Sequence, residues 1–232
     1  MRWRISHVSS TGSTNADARD GKPGDVFTAD FQTAGRGRLD HRWESTKGEN
    51  LMMSAVLDVA DLAPERAATL PLVVGLAVAD ALRFAGEMRL KWPNDVLAGG
   101  RKIAGILCER HGDSVIAGMG VNVNQTSVPG EIAARATSVA LLTGKCADVA
   151  RVRDGVLAAL AARYGAWRGG GLEAVLGDLA AADYLKGRQV EVSQTDDDAA
   201  PVAGICGGIA ADGALIVGDV RIYAGEAHVR SF

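Results

Sequence analysis

The chain of 232 residues is long enough for one large domain and a small one around a substantial buried core. Its composition, 47% hydrophobic and 23% charged, is close to that of soluble globular proteins and argues against disorder. The formal net charge of −3 provides no overall positive field for nucleic acid or anionic lipid. No apolar run approaches the roughly 20 residues that cross a bilayer, and the N-terminus lacks the apolar core of a secretory signal, so we expect a cytoplasmic protein.

The cysteines, Cys108, Cys146 and Cys206, are widely separated and form no CxxC pair. An odd number without metal-ligand spacing predicts neither a zinc site nor a disulfide framework. Free thiols of this kind are usually buried and idle, which agrees with a reducing cytosol.

In chain order, the pattern alternates between strands and helices without internal repeats. Strands are predicted at Val26–Phe31 and Asn50–Val59, and an apolar helix at Pro64–Ala85, which Gly86 ends. Pro71 should lie at a helix start or mark a kink, because it lacks the N–H that an interior position needs.

A meander of strands follows these elements. Strands are predicted at Arg89–Leu97, Lys102–Glu109 and Val115–Val123, with turns at Gly99-Gly100 and His111–Asp113. Strands joined by such short turns pair antiparallel, so the sheet is mixed at best and the predicted fold class is α+β.

The C-terminal part of the chain changes character after two more helices, predicted at Asp148–Trp167 and Leu172–Leu185. Short strands are then predicted at Gln189–Ser193, Val202–Ile209, Leu215–Val217 and Val220–Val229, with turn residues that include Asp196–Asp198 and Asp212-Gly213. Such short strands suggest a small barrel. The predicted domains are therefore residues 1–184 and residues 185–232.

The segment Gln32–Arg38, QTAGRGR, directly follows a predicted strand. Arginine matches the geometry of phosphate and carboxylate groups, and glycine lets the backbone approach a ligand closely. The segment therefore suits an anion, although a Gly/Arg loop taken alone is more often a solvated turn.

The segment Lys91–Asp95, KWPND, is followed by Lys102 after a short hairpin. Asn94 and Asp95 could bind a nucleotide, or a magnesium ion through one carboxylate. Lys102 opens the next predicted strand on the far side of the hairpin, where these groups can converge. A lysine beside a turn is otherwise normally a solvated charge.

Two further segments leave alternatives open. In Gly118–Asn124, GMGVNVN, Val123 stands where a dinucleotide-binding fingerprint needs glycine, and the strand-to-helix context is missing. Small residues within a strand favour instead the close approach of a flat ligand or of another backbone. Ser13–Asn15, STN, could cap a helix beginning at about Ala16 or could line a pocket.

These segments, with Trp43 and with RKIAGIL at residues 101–107, occur in the order and approximate spacing of the biotin–protein ligases. The chain resembles that family over residues 9–124, and in outline in its later helices and strands. The resemblance implies a catalytic domain like that of class II aminoacyl-tRNA synthetases, with helices on a mostly antiparallel sheet, and a small C-terminal SH3-like β-barrel.

The resemblance also implies a ligase that works in two steps. The carboxylate of biotin attacks the α-phosphate of ATP, which binds with Mg²⁺, and loss of pyrophosphate leaves biotinyl-5′-AMP. The ε-amine of a lysine in a biotin carboxyl carrier protein domain of a biotin-dependent carboxylase then expels AMP. The oligomeric state is not fixed by the sequence; some relatives dimerise by pairing their sheets, and a homodimer stays an open alternative.

Site residues are implied position by position. Biotin contacts are assigned to Ser13, Thr14, Asn15, Gln32, Arg36, Gly37, Arg38 and Lys102. Nucleotide contacts are assigned to Arg36, Arg38, Trp43, Asn94, Asp95 and Asn122. Lys102 and Arg38 are the implied catalytic cations, and no metal ligand is assigned. Plain core packing is an equally good interpretation of Trp43.

The sequence departs from the family pattern at Asp40 and His41, where the family usually has a glycine and a further arginine. A carboxylate there weakens the local positive field, so we expect less tight closure of the loop over the adenylate. Because STN begins at residue 13, no room is left for the DNA-binding domain of repressor-type relatives. We therefore expect an enzyme-only form that binds neither DNA nor membrane.

Two other functions stay open. A lipoate or octanoate ligase or transferase would share the catalytic fold, and a non-catalytic sensor of biotin would share the pocket. The Gly/Arg loop with KWPND and RKIAGIL favours biotin, and the presence of Lys102 and Arg38 favours catalysis.

Overall fold

The computed structural model describes residues 1–40, 42–43, 46–127, 134–194 and 200–230, and of Asp40 the backbone alone. The strands are β1 (Arg4–Val8), β2 (Asp25–Ala29), β3 (Leu51–Asp58), β4 (Met88–Lys91), β5 (Asp95–Ala98), β6 (Arg101–His111), β7 (Ser114–Val121), β8 (Gln189–Ser193), β9 (Val202–Ile209), β10 (Leu215–Val217), β11 (Val220–Ile222) and β12 (Glu226–Val229). The α-helices are α1 (Thr14–Asp17), α2 (Pro64–Ala67), α3 (Leu70–Ala81), α4 (Val139–Thr143), α5 (Val149–Gly170) and α6 (Leu176–Ala182).

Within these residues, seven strands form one sheet in the order β1-β2-β3-β7-β6-β5-β4. β1 runs parallel to β2, and every other neighbouring pair is antiparallel. Gly99 and Gly100 both have positive φ, 56° and 76°, as a tight primed turn requires. The mixed, mostly antiparallel sheet and the meander predicted from the sequence are confirmed.

The prediction of a single strand at Arg89–Leu97 is wrong. β4 and β5 are the two arms of a hairpin in which Lys91 pairs with Asp95 across a turn at residues 92–94. Pro93 cannot donate to a strand ladder, and its peptide bond with Trp92 is cis. Asn94 supports the turn by donating its side-chain amide to the carbonyl of Ile106 at 2.8 Å.

The alternation of side chains along the strands divides the sheet into two faces. Met53 on β3 and Met119 on β7 face the main hydrophobic core, which contains much of α3 and α5. Their neighbours Ser54, Gly118 and Gly120 face the opposite side, because successive side chains of a strand point to opposite faces. The long helices therefore cover one face and leave the other for α1 and the loop after β2.

The predicted helix at Pro64–Ala85 is two helices, α2 and α3, and Pro71 lies in the first turn of α3 as predicted. The helix predicted at Asp148–Trp167 is α5, and Asp148 caps it by accepting from the N–H groups of residues 150 and 151. The one predicted at Leu172–Leu185 is shorter, a 3₁₀ turn followed by α6. β1 and α4 were not predicted. No helix within the described ranges is both long and apolar enough to cross a bilayer.

The described part of the C-terminal region forms a second sheet of five strands in the order β11-β10-β9-β8-β12. The predicted strands at Gln189–Ser193, Val202–Ile209 and Leu215–Val217 are confirmed. The run predicted at Val220–Val229 is instead two strands, β11 and β12, because Gly225 with φ 152° interrupts it. The sheet is open over the described residues, so the SH3-like barrel stays a prediction, and the predicted turn at Asp196–Asp198 lies outside them.

The two sheets meet at the segment after α6, where the domain boundary was predicted. The Asp183 carboxylate accepts from the backbone N–H groups of Leu185 and Lys186 at 2.8 and 3.3 Å, and burial raises its pKa. Leu185 and Val190 are fully buried in the same core as the helices of the larger sheet. The hydrophobic core is thus continuous across the boundary, and the division into two domains stays a prediction.

Candidate active site

A cavity of about 390 Å³ opens on the sheet face opposite the long helices, a volume typical of small-molecule sites. All the site residues predicted from the sequence line it: Ser13, Thr14, Asn15, Gln32, Arg36, Gly37, Arg38, Trp43, Asn94, Asp95, Lys102 and Asn122. The fold thus brings together four segments that are far apart in the chain. Their individual ligand roles stay predictions.

An ion pair between Lys102 and Asp95 lies in this cavity. Nζ of Lys102 is 2.7 Å from Oδ1 of Asp95, and the two side chains are 36% and 20% exposed. The β5–β6 hairpin brings them together, and the backbone of Lys102 is also fixed by hydrogen bonds to Arg135 and Thr137 at 2.7 and 2.8 Å. Lys102 and Asp95 therefore converge across the hairpin, as the sequence predicted. The ammonium group of Lys102 forms an ion pair with the Asp95 carboxylate.

Trp43 packs flat against glycines of β6 and β7. A Cβ on Gly120 would lie 2.5 Å from Cε2 of Trp43, and one on Gly105 would lie 3.0 Å from its Cζ3. The predicted close approach to the GMG strand is therefore made by an indole ring, not by another backbone. Nζ of Lys102 is 5.7 Å from the ring centroid, within cation–π range. The Trp43 N–H is buried and makes no hydrogen bond to the described residues.

The STN segment both begins a helix and lines the cavity. Ser13 is the N-cap residue of α1, which begins at Thr14, not at Ala16, and the Ser13 side chain makes no capping hydrogen bond. Oε1 of Gln32 accepts from the backbone N–H of Thr14 at 2.7 Å and contacts its hydroxyl at 3.0 Å. Asn15 is buried in the cavity wall.

Ser54 is a buried polar residue that sequence reasoning missed. Its hydroxyl lies 2.7 Å from Oγ1 of Thr14 and 2.6 Å from Oδ1 of Asn15. A signal was present, since Ser54 is the one hydroxyl within the apolar run LMMSAVL. The fully buried Ser54 thus supports the STN segment from behind.

The arginine loop reaches the C-terminal sheet. Nη1 of Arg38 donates to the carbonyl of Gly225 at 3.2 Å, and Gly225 and Glu226 both line the cavity. Burial lowers the pKa of the Arg38 guanidinium, and the carboxylates of Asp95 and Glu226 act in the opposite direction. Gly225 and Glu226 were not predicted as site residues. They are distant from the arginine loop in the sequence, and only folding brings the start of β12 next to it. The departure at Asp40 and His41 lies outside the described side chains.

The two asparagines predicted at the nucleotide donate to backbone carbonyls. Asn122 donates to Thr137 at 3.0 Å, and Asn94 donates to Ile106. Both therefore stabilise the cavity wall, and within the described residues their side-chain oxygens accept no hydrogen bond. Over the described ranges, no group of three or more His, Cys, Asp or Glu side chains could hold a metal ion.

Comparison with known proteins identifies the family. The family model for the biotin/lipoate A/B protein ligase family matches residues 8–125, half of the chain. The chain is 40% identical over 178 residues to the biotin–[acetyl-CoA-carboxylase] ligase of Mycobacterium tuberculosis, a match that covers 72% of this chain and 66% of that protein. The chain belongs to the biotin/lipoate A/B protein ligase family.

A second curated protein and a solved structure are also similar to this chain. The bifunctional ligase/repressor BirA of Bacillus spizizenii is 37% identical over 168 residues, and the match spans 68% of this chain but only about half, 51%, of that protein. The structure of the biotin protein ligase from Aquifex aeolicus in complex with biotin and ATP superposes with a TM-score of 0.86 at 28% identity. That superposition covers 97% of this chain and 98% of the other.

The packing of Trp43 on the strands leads to the first prediction. Gly120→Ala should displace the indole ring and destabilise the protein by about 1–3 kcal/mol, the usual cost of overpacking. The measurements are the free energy of unfolding in urea and the quenching of tryptophan fluorescence by acrylamide, which should increase. Gly165→Ala is the matched control, because a Cβ there meets no atom within 4 Å. Equal stability and equal quenching in both variants would contradict this description of the ring.

Proposed function

We propose that the protein activates biotin with ATP to form biotinyl-5′-AMP and transfers the biotin to a lysine of a carrier protein. The observation that carries this proposal is the convergence of four separate segments on one cavity around the Lys102–Asp95 pair. The similarity over 97% of the chain to a ligase solved with biotin and ATP supports it.

In the first step, the difficulty is to hold two anions together. A carboxylate is already ionised at neutral pH, so attack on the α-phosphate needs no general base. Negative charge grows around phosphorus, and a preorganised cation stabilises that charge most in the transition state. Lys102 has this role in our proposal, since its ammonium is already held in the cavity by Asp95 at 2.7 Å. The substrate anions then take the place of Asp95 as its partners.

The arginine loop has a second role in our proposal. Arg36 and Arg38 bind the phosphate and the biotin carboxylate, and Gly37 lets the loop backbone come close to them. The bond from Arg38 to Gly225 ties the loop to the C-terminal sheet. A closed loop would exclude water, which would otherwise hydrolyse the mixed anhydride.

The nucleotide is proposed to bind beside Trp43, Asn94, Asp95 and Asn122. Mg²⁺ usually keeps several waters and is held by substrate phosphates with one or two carboxylates. The described carboxylates of the cavity are those of Asp95 and Glu226, and the first is paired with Lys102. This oxygen-donor set fits a magnesium ion that enters with ATP.

We infer the remaining features from the family. The proposed acceptor is a biotin carboxyl carrier domain, as the name of the Mycobacterium tuberculosis relative suggests. The finer architecture, a class II synthetase-like domain over residues 1–184 and an SH3-like barrel over 185–232, belongs to the same proposal. A cytoplasmic location and the lack of DNA binding also stay proposals, the second supported by the net charge of −3.

A lipoate or octanoate ligase is the second candidate, because the family includes lipoate ligases. The polar floor made by Thr14 and Gln32, which Ser54 supports from behind, argues for biotin. A buried site built to hydrogen-bond a ligand strongly rejects an analogue that lacks the matching groups. Biotin carries a ureido ring, whereas lipoate and octanoate have no N–H or carbonyl group at that end.

Substrate choice is tested by pyrophosphate exchange into ATP, run with biotin, lipoate and octanoate side by side. Biotin should support exchange and the labelling of a carrier domain, and the other two acids should not, because they leave the polar floor unpaired. Equal exchange with lipoate or octanoate would overturn the biotin assignment. Biotin binding without exchange would favour a sensor.

Arg38→Gly should separate formation of the adenylate from its retention. The variant loses the link to Gly225, so biotinyl-AMP should form but leave the cavity early and label lysines of bystander proteins. The measurement is the labelling of serum albumin mixed with a carrier domain. Arg151→Gly, a substitution on the exposed face of α5, is the control for loss of an arginine. Labelling that stays confined to the carrier in Arg38→Gly would show that this role is wrong.

A further inference from the structure

A row of polar side chains runs behind the floor of the cavity. It begins at Glu109, whose Oε2 is 2.5 Å from Nδ2 of Asn15. It continues through Ser54, 2.6 Å from Oδ1 of Asn15, to Thr14 and then to Gln32. Glu109 does not touch the cavity, whereas Thr14 and Gln32 line it. We call these five residues the polar row.

The carboxylate of Glu109 sets the direction of the hydrogen bonds. A carboxylate at neutral pH accepts hydrogen bonds and cannot donate them. Asn15 must therefore turn its amide nitrogen toward Glu109, and the carbonyl of Leu107, 3.4 Å away, accepts from the same nitrogen. The amide oxygen of Asn15 is then left facing Ser54. Ser54 has to donate its hydroxyl hydrogen to that oxygen.

The hydroxyl hydrogens of the polar row are too few for its contacts. Ser54 has one hydrogen, which goes to Asn15. Thr14 then has one hydroxyl hydrogen for two neighbouring oxygens, Oγ of Ser54 at 2.7 Å and Oε1 of Gln32 at 3.0 Å. Oε1 of Gln32 is fixed as an acceptor by the backbone N–H of Thr14. Whichever of these two oxygens the Thr14 hydroxyl donates to, one of its two contacts is left without a hydrogen.

We propose that Glu109 is a positioning residue that makes the cavity floor a pair of hydrogen-bond acceptors and so selects a ligand with an N–H donor. The inference rests on the proposed function, in which that donor is one of the two ureido N–H groups of biotin. Such a donor placed against Thr14 and Gln32 supplies the hydrogen that the polar row lacks. Glu109 thus acts on ligand choice through two intervening side chains, those of Asn15 and Ser54.

Replacing Glu109 by a donor reverses the hydrogen bond between Asn15 and Ser54. With lysine at this position, Asn15 turns its oxygen outward and its nitrogen toward Ser54. Ser54 then donates to Thr14, and Thr14 donates to Gln32, so the acceptor oxygens are already satisfied. Glutamine can present either an oxygen or a nitrogen to Asn15. Its effect on biotin binding should therefore lie between those of glutamate and lysine.

The test compares two variants, Glu109→Gln and Glu109→Lys, by calorimetric titration with biotin and with its two cyclic carbamate analogues. In each analogue one ring N–H is replaced by an oxygen of similar size. The matched control is Glu87→Gln, which removes the same charge from an exposed glutamate paired with Arg89. Thermal melting of each variant reports whether it is folded.

For wild-type protein, one carbamate should bind at least about 100-fold more weakly than biotin, because its ring oxygen faces two acceptors. Glu109→Lys should weaken biotin binding by about 10- to 100-fold and change the binding of that carbamate by less than about threefold. Glu109→Gln should change the dissociation constants for biotin and for that carbamate in the same directions as Glu109→Lys does, but by smaller factors. Glu87→Gln should change neither constant.

A loss of the same factor for biotin and for both analogues would show that Glu109 only supports the structure, and the inference would be wrong. Unchanged biotin binding in folded Glu109→Lys would also overturn it. Wild-type protein that binds no biotin in this titration would contradict the proposed function itself, and this inference with it.

Discussion

The ion pair between Lys102 and Asp95 depends on the geometry of the β5–β6 hairpin, and the proposed chemistry depends on the ion pair. The turn at Gly99-Gly100 sets the register that brings the two side chains within 2.7 Å, and Asn94 holds the neighbouring turn. A lysine alone in a half-buried cavity would bear a desolvation penalty, which a paired carboxylate offsets. The pairing keeps a cation ready for an anionic substrate.

The two faces of the seven-stranded sheet have different roles: one packs in the main hydrophobic core, and the other carries the candidate site. The apolar face of the sheet packs on α3 and α5, and the opposite face carries glycines that Trp43 and the side chain of Asn15 approach closely. This arrangement puts the main hydrophobic core on one face of the sheet and leaves room for a ligand on the other. The C-terminal sheet contributes through Gly225, which accepts from Arg38, so closure of the loop depends on both sheets.

Local signals predicted much of this arrangement. QTAGRGR, KWPND and STN were identified from residue types and spacing, and three of the short strands near the C-terminus, β8, β9 and β10, were predicted with their observed bounds. The strand predicted through Pro93 failed because the apolar pattern was followed across Pro93-Asn94, although a proline within a run argues against one continuous strand. Gly225 could not be assigned, and Ser54 showed only as a hydroxyl in an apolar run, since their contacts with Arg38 and Thr14 join residues 187 and 40 positions apart. Such contacts depend on strand register and on packing of the two sheets.

The most direct test of the central claim is the single-turnover rate of adenylate formation in Lys102→Ala. The rate should fall by about 10² to 10³, the effect of losing one preorganised charge donor, while biotin affinity changes much less because the polar floor remains. Lys145→Ala, at an exposed position between α4 and α5, should keep the wild-type rate. Adenylate formation at the wild-type rate in Lys102→Ala would contradict the role given to this cation.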